Sequence, residues 1–558
     1  MRVIFTKIII RIVPLLLIST SVLSQPQMGE KIFPEQTAPL FKGMGNQHFT
    51  LESESEMAEI FFNQAIALTF GFNHLEAERS FKQVAELDSK AAIAFWGQAL
   101  VLGPNINTGM ESSAVIPAYN AIQKARKLAK YSSKKEQALI EALSARYSKD
   151  ETLSDRHELD IAYSEALKKV AKEFPNDPDV LTFLSEALMV IHAWDYWEGD
   201  GRPKEWTPEI LRYLEHGLSL HPEHPGLIHY YIHAVEASKT PGRAKKYADR
   251  LAELIPGSGH IVHMPSHIYI RTGEYQKGVL INEKAIEVDN TYITQCRSQG
   301  LYPLAYVPHN RHFLWAMATL QGASEKAIKA AEHMSEHTSH EIMRMPGLGT
   351  LQHYWVTPWY AYVRFGKWDK ILNLKKPDSD LLYPVGVWHY ARGIAFTGKD
   401  KLQEARKELS ALKATIKNEA LKDITVWEIN DASSVLQIAA LTLEGEIEAK
   451  ARKYGLAVSA LQKAIALEDK LNYNEPSDWH YPVRQSLGAV LLEAGYFNEA
   501  EEVYRKDLET FPKNGWSLFG LWKSLKGQGK SSEATEVYKQ FRESWKWADF
   551  ELKSSRVI

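Results

Sequence analysis

Residues 487–512 have the sequence LGAVLLEAGYFNEAEEVYRKDLETFP, and this stretch decides the fold of the chain. Apolar and small residues recur at helical spacing on both sides of Gly495, and Pro512 closes the stretch, which predicts a helix, a turn and a second helix. The same landmarks return 34 residues later, where Trp522, Leu525, Gly529, Ala534 and Tyr538 hold the places of Gly488, Leu491, Gly495, Ala500 and Tyr504. Small residues let two helices approach at their crossing and an aromatic ring fills the space beyond, so the spacing predicts a repeated helical hairpin.

Landmarks of the same kind recur upstream of this stretch. They mark five more units, at Ala77 and Phe81 with Asp88, at Ala244, Leu251 and Pro256, at Gly273, Gly278, Ala285 and Asp289, at Gly322, Ala327 and Ala331, and at Gly366. Alternation of β-branched residues never runs far between turn residues, so strands are not predicted. The chain is therefore predicted to be all-α.

This pattern resembles the tetratricopeptide repeat (TPR) family over most of the chain after its first 24 residues. The resemblance implies a tetratricopeptide-type α-solenoid, a superhelix of helix-turn-helix repeats. More narrowly, residues 229–236, 259–267 and 306–312 are similar to segments of uncharacterised secreted bacterial TPR proteins. That likeness implies a fold and an exported location, and it implies no reaction.

The repeat pattern is uneven along the chain. Residues 104–160 and 192–208 show the landmarks least clearly, and we expect longer connections there. We predict a signal peptide at 1–24, an N-terminal and central solenoid at 25–371, connecting helices at 372–430 and a C-terminal TPR array at 431–558.

Length and composition restrict the class of protein. A chain of 558 residues is several times the size of a usual single domain, so it is multidomain or a repeat array. Hydrophobic residues make up 45% and charged residues 24%, which is typical of a globular protein. The net charge is −3 with acids and bases well mixed, so nothing resembles the basic footprint of a nucleic-acid-binding protein.

The first residues are typical of a secretory signal. Positive charge at Arg2, Lys7 and Arg11 precedes and enters a mostly apolar stretch, and cleavage is predicted after Ser24. No later stretch approaches the roughly 20 apolar residues of a membrane span, so we expect an exported periplasmic or extracellular protein without one. The only cysteine, Cys296, excludes an internal disulfide and is expected to be buried.

The repeat register places most histidines of the central repeats on one face of their helices. In the family, positions two, five and nine of the first helix face the concave groove, and the register here rests on Ala, Gly and Pro landmarks alone. Eight of the 12 such positions in four central repeats hold histidine, where composition alone predicts about 0.4. The inward positions of the same helices hold none. The groove histidines are His229, His233, His260, His263, His267, His309, His312 and His353.

Histidines on neighbouring helices suit a metal site. Solenoid helices lie about 10 Å apart, so imidazoles reaching inward from several helices can meet at metal–nitrogen distances of about 2.0–2.1 Å. Nitrogen ligands without thiolates favour a transition metal such as Zn, Cu or Fe over Ca or Mg, without choosing among them. Two other interpretations stay open. The histidines could hydrogen-bond one another, Tyr360 and water, or partly protonated rings could bind an anion or a peptide.

Two prolines disturb this register. Pro265 and Pro358 occupy the seventh place of their first helices, and proline disfavours helix in the residue before it. Residues 260–264 are therefore expected to be kinked or non-helical, so that His260 and His263 could turn away from the groove. The firmer pairs are His229 with His233 and His309 with His312.

Other residues carry weaker signals. Glu236 shares the stripe of His229 and His233, where it could be a metal ligand, a hydrogen-bond partner of a ligand or a general base. Asn105 and Asn107 are expected at helix ends as caps. Packing is expected of His480, and the run Trp194, Tyr196 and Trp197 could line a pocket, although packing is the more usual role of such a run.

Two classes of function follow. In the first, the chain is an exported scaffold with a metal-binding groove, and it binds a protein or peptide partner in the groove or the C-terminal array. In the second, it is a metal-dependent enzyme that uses Cu, Zn or Fe in its central repeats. No nucleophile elbow, phosphate loop, CxxC pair or HExxH occurs in the sequence, so no particular reaction is predicted.

Overall fold

A computed structural model describes residues 37–558 apart from residues 47, 52, 54, 151, 154 and 297–301. The predicted signal peptide and the side chain of Cys296 lie outside this described part. All its long elements are α-helices. They are α1 (Glu56–Phe70), α2 (His74–Leu87), α3 (Ala92–Leu102), α4 (Val115–Leu128), α5 (Lys134–Ser144), α6 (His157–Glu173), α7 (Pro178–Ile191), α8 (Thr207–Leu220), α9 (Pro225–Val235), α10 (Lys245–Leu254), α11 (Gly259–His263), α12 (Pro265–Thr272), α13 (Tyr275–Cys296), α14 (Val307–Leu320), α15 (Ser324–Glu336), α16 (Gly349–Arg364), α17 (Trp368–Leu372), α18 (Leu382–Gly398), α19 (Leu402–Ile416), α20 (Ala432–Lys450), α21 (Tyr454–Glu468), α22 (Val483–Ala494), α23 (Phe497–Thr510), α24 (Gly515–Gly527) and α25 (Ser531–Ser544).

Successive helices pair as hairpins, as the repeat pattern predicts. Neighbours such as α1 with α2, α18 with α19, and α24 with α25 pack along each other, and each hairpin packs on the next. Gly273 and Gly495 cap the first helix of their hairpins at φ 73° and 82°, a left-handed conformation that suits glycine. The buried ring of Tyr504 lies against Gly488, where the sequence places an aromatic beyond a small residue. The predicted all-α, tetratricopeptide-type solenoid is confirmed.

The connections differ from expectation in places. Residues 104–160 contain α4, α5 and the start of α6, so the long connections there are confined to 103–114 and 145–156. The second irregular stretch is a connection of residues 192–206, as predicted. A two-stranded antiparallel hairpin, β1 (Thr425–Val426) with β2 (Asn430–Asp431), was not predicted, because two residues are too few to show alternation.

The predicted connecting region, 372–430, contains the hairpin α18–α19, and α18 packs against both α16 and α20. The division into arrays at this region stays a prediction.

The superhelix winds tightly enough for distant turns to touch. The amide of Gly257 donates to the carbonyl of Gly43 at 2.8 Å, and the hydroxyl of Tyr275 donates to the carbonyl of Pro512 at 2.7 Å. The indole N–H of Trp516 donates to the carbonyl of Thr319 at 2.9 Å. Through these contacts the central repeats are packed against N-terminal residues on one side and against C-terminal hairpins on the other. No helix in the described part is long and apolar enough to cross a membrane.

Two large hydrophobic clusters meet in the central repeats. One contains residues between Ala38 and Ile268 together with Tyr292, Tyr302, Tyr306 and Val307, and the other contains residues between Tyr269 and Leu552. The helices at this boundary, α9, α11, α12 and α14, carry a polar cluster of histidines in place of aliphatic side chains. The candidate metal-binding residues therefore lie at the boundary between the two hydrophobic clusters.

A glycine at a helix crossing gives a first prediction. A Cβ at position 488 would run into the ring of Tyr504, whereas nothing lies within 4 Å of a Cβ at Gly455, which is exposed in α21. Gly488→Ala should therefore cost about 1–3 kcal/mol through overpacking, despite the better helix propensity of alanine. Urea unfolding should show a lowered midpoint for Gly488→Ala and an unchanged or raised midpoint for Gly455→Ala. Equal midpoints would contradict the helix crossing described here.

Candidate metal centre

Four helices carry the buried histidines of the site. α9 provides His229 and His233 one turn apart, α11 provides His260 and His263, α12 provides His267, and α14 provides His309. The most accessible of them, His309, is 8% exposed. The sequence predicts these side chains on the concave groove, and in the structure this part of the groove is buried.

The helix break at Pro265 does not turn His260 and His263 away. Residues 259–263 form the short helix α11, and Met264 keeps helical angles, φ −50° and ψ −35°, before Pro265 begins α12. Of the two forms expected here, the interrupted helix is found, with Pro265 beginning α12, and the non-helical stretch is not. The missing N–H of proline removes one hydrogen bond while the backbone keeps its direction. His263 and His267 consequently remain on one face across the break.

The first histidine group consists of His229, His233 and His260, whose candidate ligand atoms all lie within 4.8 Å of one another. The Nε2 atoms of His229 and His260 are 3.2 Å apart. His229 donates its Nδ1–H to the carbonyl of Phe70 at 2.6 Å, which leaves its Nε2 with a lone pair. The Nε2 of His233 has no hydrogen-bond partner in the described part of the chain.

The second histidine group consists of His263, His267 and His309, again with candidate ligand atoms within 4.8 Å. His263 donates its Nδ1–H to the side-chain oxygen of Asn282 at 2.7 Å, and the amide of Asn282 is oriented by its own bond to the carbonyl of Gly278. His267 donates its Nδ1–H to Glu236 at 2.6 Å. In neutral rings both Nε2 atoms are then acceptors, yet they face each other at 3.0 Å. Such a contact is favourable only with a positive charge between the two lone pairs, either a proton gained by one ring or a metal ion.

Glu236 connects the two groups. Its Oε1 accepts the Nδ1–H of His233 at 2.7 Å, and its Oε2 accepts the Nδ1–H of His267 at 2.6 Å and the hydroxyl of Tyr473 at 3.0 Å. The carboxylate thus fixes the orientation of one ring in each group. Histidines that bind metals in proteins are commonly oriented by a carboxylate in this way.

Burial sets the charge of these groups. Burial, with the charge of neighbouring imidazoles, holds the pKa of His229, His260 and His309 well below the ordinary histidine value. Burial acts to raise the pKa of Glu236, but the charge of His267 and the hydrogen bonds from His233 and His267 outweigh it and lower that pKa. Burial therefore favours the neutral form of His229, His260 and His309, which is the form that binds metals, beside one ionised carboxylate.

His312 and His353 lie apart from both groups. Their rings contact each other at 5.2 Å, and His353 forms a 2.7 Å hydrogen bond with the hydroxyl of Tyr383. Neither belongs to a group of three candidate donors among the described residues. His309 and His312, predicted as a pair, are thus divided between the second histidine group and this separate contact.

Both histidine groups contribute side chains to the wall of a small hollow. Segments from distant parts of the chain cover this hollow. Its volume is about 40 Å³, which is room for a few water molecules. The side chains that complete its wall are Asn107, Trp194, Tyr306, Trp427, Ile429, Asn474 and Glu475. An open groove is the usual form of a TPR array, and here the connections between hairpins fill it.

Three aromatic residues at the hollow have strained backbones. Phe72, Trp194 and Trp427 adopt φ of 55°, 60° and 53°, a left-handed conformation that costs a bulky residue about 1–3 kcal/mol. Each contacts a histidine ring: Phe72 meets His229 at 4.7 Å, Trp194 meets His233 at 5.2 Å, and Trp427 meets His309 at 5.6 Å. The same conformation occurs at Asp400, Arg452 and Lys513 in other connections, so the ring contacts rather than the strain place these three connections at the site.

Sequence reasoning identified part of this wall. It named the six histidines and Glu236, and it raised Trp194 as a pocket residue. Asn107 was expected to cap a helix, but it donates to the hydroxyl of Tyr306 at 2.9 Å in the wall of the hollow. Phe72, Trp427 and Tyr473 were missed, because they lie in connections whose place in the superhelix no repeat landmark encodes.

Comparison with known proteins gives only distant likenesses. The sequence matches none of the protein families and none of the curated proteins with which it was compared. Among solved structures it is similar to the human IFIT1 dimer with m7Gppp-AAAA, at 12% identity over 88% of this chain and 91% of that one, with a TM-score of 0.32. It is also similar to the APC/C hetero-tetramer Cut9–Hcn1, at 12% identity over 87% and 76% with a TM-score of 0.31, and to the P58(IPK) TPR domain, at 11% identity over 85% and 99% with a TM-score of 0.21. The class of fold rests on the helical hairpins of this chain itself.

Burial of the histidines predicts how fast they react with a modifying reagent. Diethyl pyrocarbonate should modify the exposed His157, His216 and His340 well before His229 or His309, as peptide mapping by mass spectrometry would show. In Trp427→Ala the rate at His309 should rise more than the rate at His229, because the indole covers His309. Equal rates at His229 and His340 in the unaltered protein would contradict a closed hollow.

Proposed function

We propose that this protein is an exported TPR scaffold that binds two transition-metal ions, one in each histidine group. The observation that carries the proposal is the convergence of three buried histidines in each group, including the 3.0 Å contact at which the Nε2 lone pairs of neutral His263 and His267 face each other. A metal ion placed between these lone pairs turns a repulsive contact into two coordinate bonds.

The spacing of the nitrogens supports this proposal. Two nitrogens bound at about 2.0–2.1 Å to a tetrahedral ion lie about 3.3–3.4 Å apart. The paired Nε2 atoms are 3.2 Å apart in the first histidine group and 3.0 Å apart in the second. Small rotations of the rings would therefore complete either site, and a third ring stands close to each pair.

The competing interpretations of the histidines are less well supported. A network of hydrogen bonds among the rings alone would leave His233 Nε2 and His309 Nδ1 unpaired although buried, so it would need water in the hollow as well. A peptide in this part of the groove would have to displace Trp427 and Tyr473, because the hollow itself holds only a few waters. An ion fits where a peptide does not.

The proposal assigns different roles to the predicted residues. His229, His233, His260, His263, His267 and His309 are the ligands. Glu236 also forms a third candidate group with His233 and His267, with ligand atoms within 4.8 Å of one another. We assign Glu236 to orienting these two rings, because each of its oxygens already accepts a hydrogen bond from a histidine. His312 and His353 stand outside both sites. The ion is Zn, Cu or Fe on the ligand type alone.

A metal-dependent enzyme is the second candidate. Three protein ligands leave a fourth position open on each ion, which is the usual arrangement in catalytic rather than structural sites. An ion with an open position can activate water or dioxygen. The observation that favours this candidate is that side chains of both histidine groups, His233 and His260 of the first and His267 and His309 of the second, line the same hollow.

Metal analysis tests the proposal. Protein purified without an affinity tag and equilibrated with each metal should hold close to two ions per chain. His233→Ala should remove one ion and leave the second histidine group loaded. Glu236→Gln should weaken both sites, by about 10–100-fold in affinity, because it alters the partner of one ligand in each.

A neighbouring histidine supplies the control. His312→Ala lies on the same helix as His309, one turn away, and should keep both ions. A variant in which all six ligand histidines are replaced by alanine gives the background affinity for metal. The proposal is wrong if the unaltered protein binds every metal tested no more tightly than this variant does.

Export is a separate part of the proposal. The charged and apolar residues 1–24 support it, and expression of the full chain in a bacterial host tests it. We expect mature protein in the periplasm with Gln25 as its first residue. Cytoplasmic protein that retains Met1 would show that the segment is not a signal.

A further inference from the structure

We propose that a second cavity of this protein binds a small carboxylate of about the size of acetate, independently of the proposed metal sites. The cavity has a volume of about 50 Å³, which is room for a few water-sized groups. Helices α12, α14 and α16 contribute to its wall, as do residues 475–477 and 479–482 in the connection between α21 and α22. None of the six histidines proposed as metal ligands lines it.

Five side chains in the wall of this cavity each have a buried nitrogen or oxygen atom that lacks a hydrogen-bond partner within the described part of the chain. The side chains are at most 6% exposed. The unpaired atoms are Trp315 Nε1, Thr319 Oγ1, Arg364 Nε, Trp479 Nε1 and His480 Nδ1. Buried polar atoms nearly always have a partner, so their concentration around one cavity indicates a polar ligand.

The unpaired atoms are mainly hydrogen-bond donors. Indole and guanidinium nitrogens only donate, and the hydroxyl of Thr319 donates as well as accepts. The Nε2 of His480 lies 3.1 Å from the hydroxyl of Tyr390, so the Nδ1 carries the proton when Nε2 accepts from that hydroxyl. A ligand that satisfies this wall therefore has to offer acceptor oxygens.

Arg364 favours a carboxylate over a neutral acceptor. Its two terminal nitrogens donate to the carbonyl of Ser555, at 3.2 Å, and to the side-chain oxygen of Gln485, both of which are neutral. The amide of Gln485 in turn donates to Asp507 at 3.2 Å, so it stands between this carboxylate and the guanidinium. A buried cation is usually paired with an anion, and arginine binds carboxylates through charge-assisted hydrogen bonds.

Two carboxyl groups also line the cavity, and each has partners of its own. Glu468 accepts the amide N–H of Val483 at 3.1 Å, and burial raises its pKa to about 8. Glu475 lies between this cavity and the hollow, where Tyr473 donates to its Oε2 at 3.1 Å and the positive charge of Arg271 acts on it. Its Oε1 is an unpaired acceptor that water can serve. The unpaired donors beside Arg364, rather than the sum of these charges, favour a carboxylate.

The rest of the wall is largely apolar and suits a short hydrocarbon tail. The apolar side chains that complete it are Ile270, Ala316, Leu320, Pro476, Pro482 and Phe511. Phe511 and Ser477 are partly exposed, so a small molecule can reach the cavity beside them. A few convergent polar groups in an otherwise apolar wall are typical of a small-molecule site.

Calorimetric titration of the full-length protein with sodium acetate tests the inference. We expect saturable binding of one acetate per chain with a dissociation constant below about 1 mM, which is tight for so small a molecule. Acetamide has the same shape without the charge. It should bind at least about 10-fold more weakly, because a charged acceptor forms the stronger hydrogen bonds with Arg364.

Variants locate the binding. Trp315→Phe and Trp479→Phe each remove an indole N–H and keep an aromatic ring, and each should weaken acetate binding about 10–100-fold. Trp522→Phe is the same change in α24, outside the cavity, and should leave binding unaltered. Urea unfolding of the three variants shows whether each is folded, and Thr319→Val, which removes a hydroxyl at nearly constant shape, supplies a further variant.

Three results would overturn the inference. The first is acetamide binding as tight as acetate binding, and the second is acetate binding that neither Trp315→Phe nor Trp479→Phe weakens. The third is acetate binding that disappears when the protein is freed of metal, since the acetate would then be a ligand of an ion in the hollow. Saturable binding in the metal-free protein supports the inference whether or not the metal sites are confirmed.

Discussion

The carboxylate of Glu236 holds the centre of this protein together. It is completely buried and accepts Nδ1–H bonds from His233 at 2.7 Å and from His267 at 2.6 Å, one ring from each histidine group. Those bonds fix the tautomers, and so they direct the Nε2 lone pairs toward the hollow. Without a cation, the interior would contain opposed acceptors in the second histidine group and unpaired nitrogens in both. An ion in each group would satisfy these nitrogens, and this arrangement supports the metal proposal more than the number of histidines does.

The tight superhelix explains how a repeat array can enclose such a centre. In an open solenoid the first helices line a concave surface that water reaches. Here the connections that contain Phe72, Trp194 and Trp427 turn inward, and each of these three residues has a left-handed backbone conformation. Tyr473, in the connection between α21 and α22, donates a hydrogen bond to Glu236. Water is largely excluded, and the energy of the strained connections is part of the cost of closing the site.

The sequence predicted the parts of this structure that depend on local periodicity. Repeat landmarks such as Gly495 and Tyr504 give the hairpins, and the same register places six histidines and Glu236 on facing surfaces. It could not predict the closure, because contacts such as Tyr473 with Glu236 depend on superhelical pitch summed over many repeats. The sequence also did not predict that His309 joins the second histidine group while His312 does not. The two residues are about one helical turn apart, and that turn decides which neighbouring helix each side chain contacts.

The central claim is that two ions occupy two three-histidine sites in one hollow. Anomalous diffraction from crystals of metal-loaded protein, recorded at the absorption edge of the bound metal, tests it most directly. The account predicts two peaks, one at bonding distance from nitrogens of His229, His233 and His260 and the other from nitrogens of His263, His267 and His309. Peaks only at surface histidines, or an empty hollow in fully loaded crystals, would contradict it.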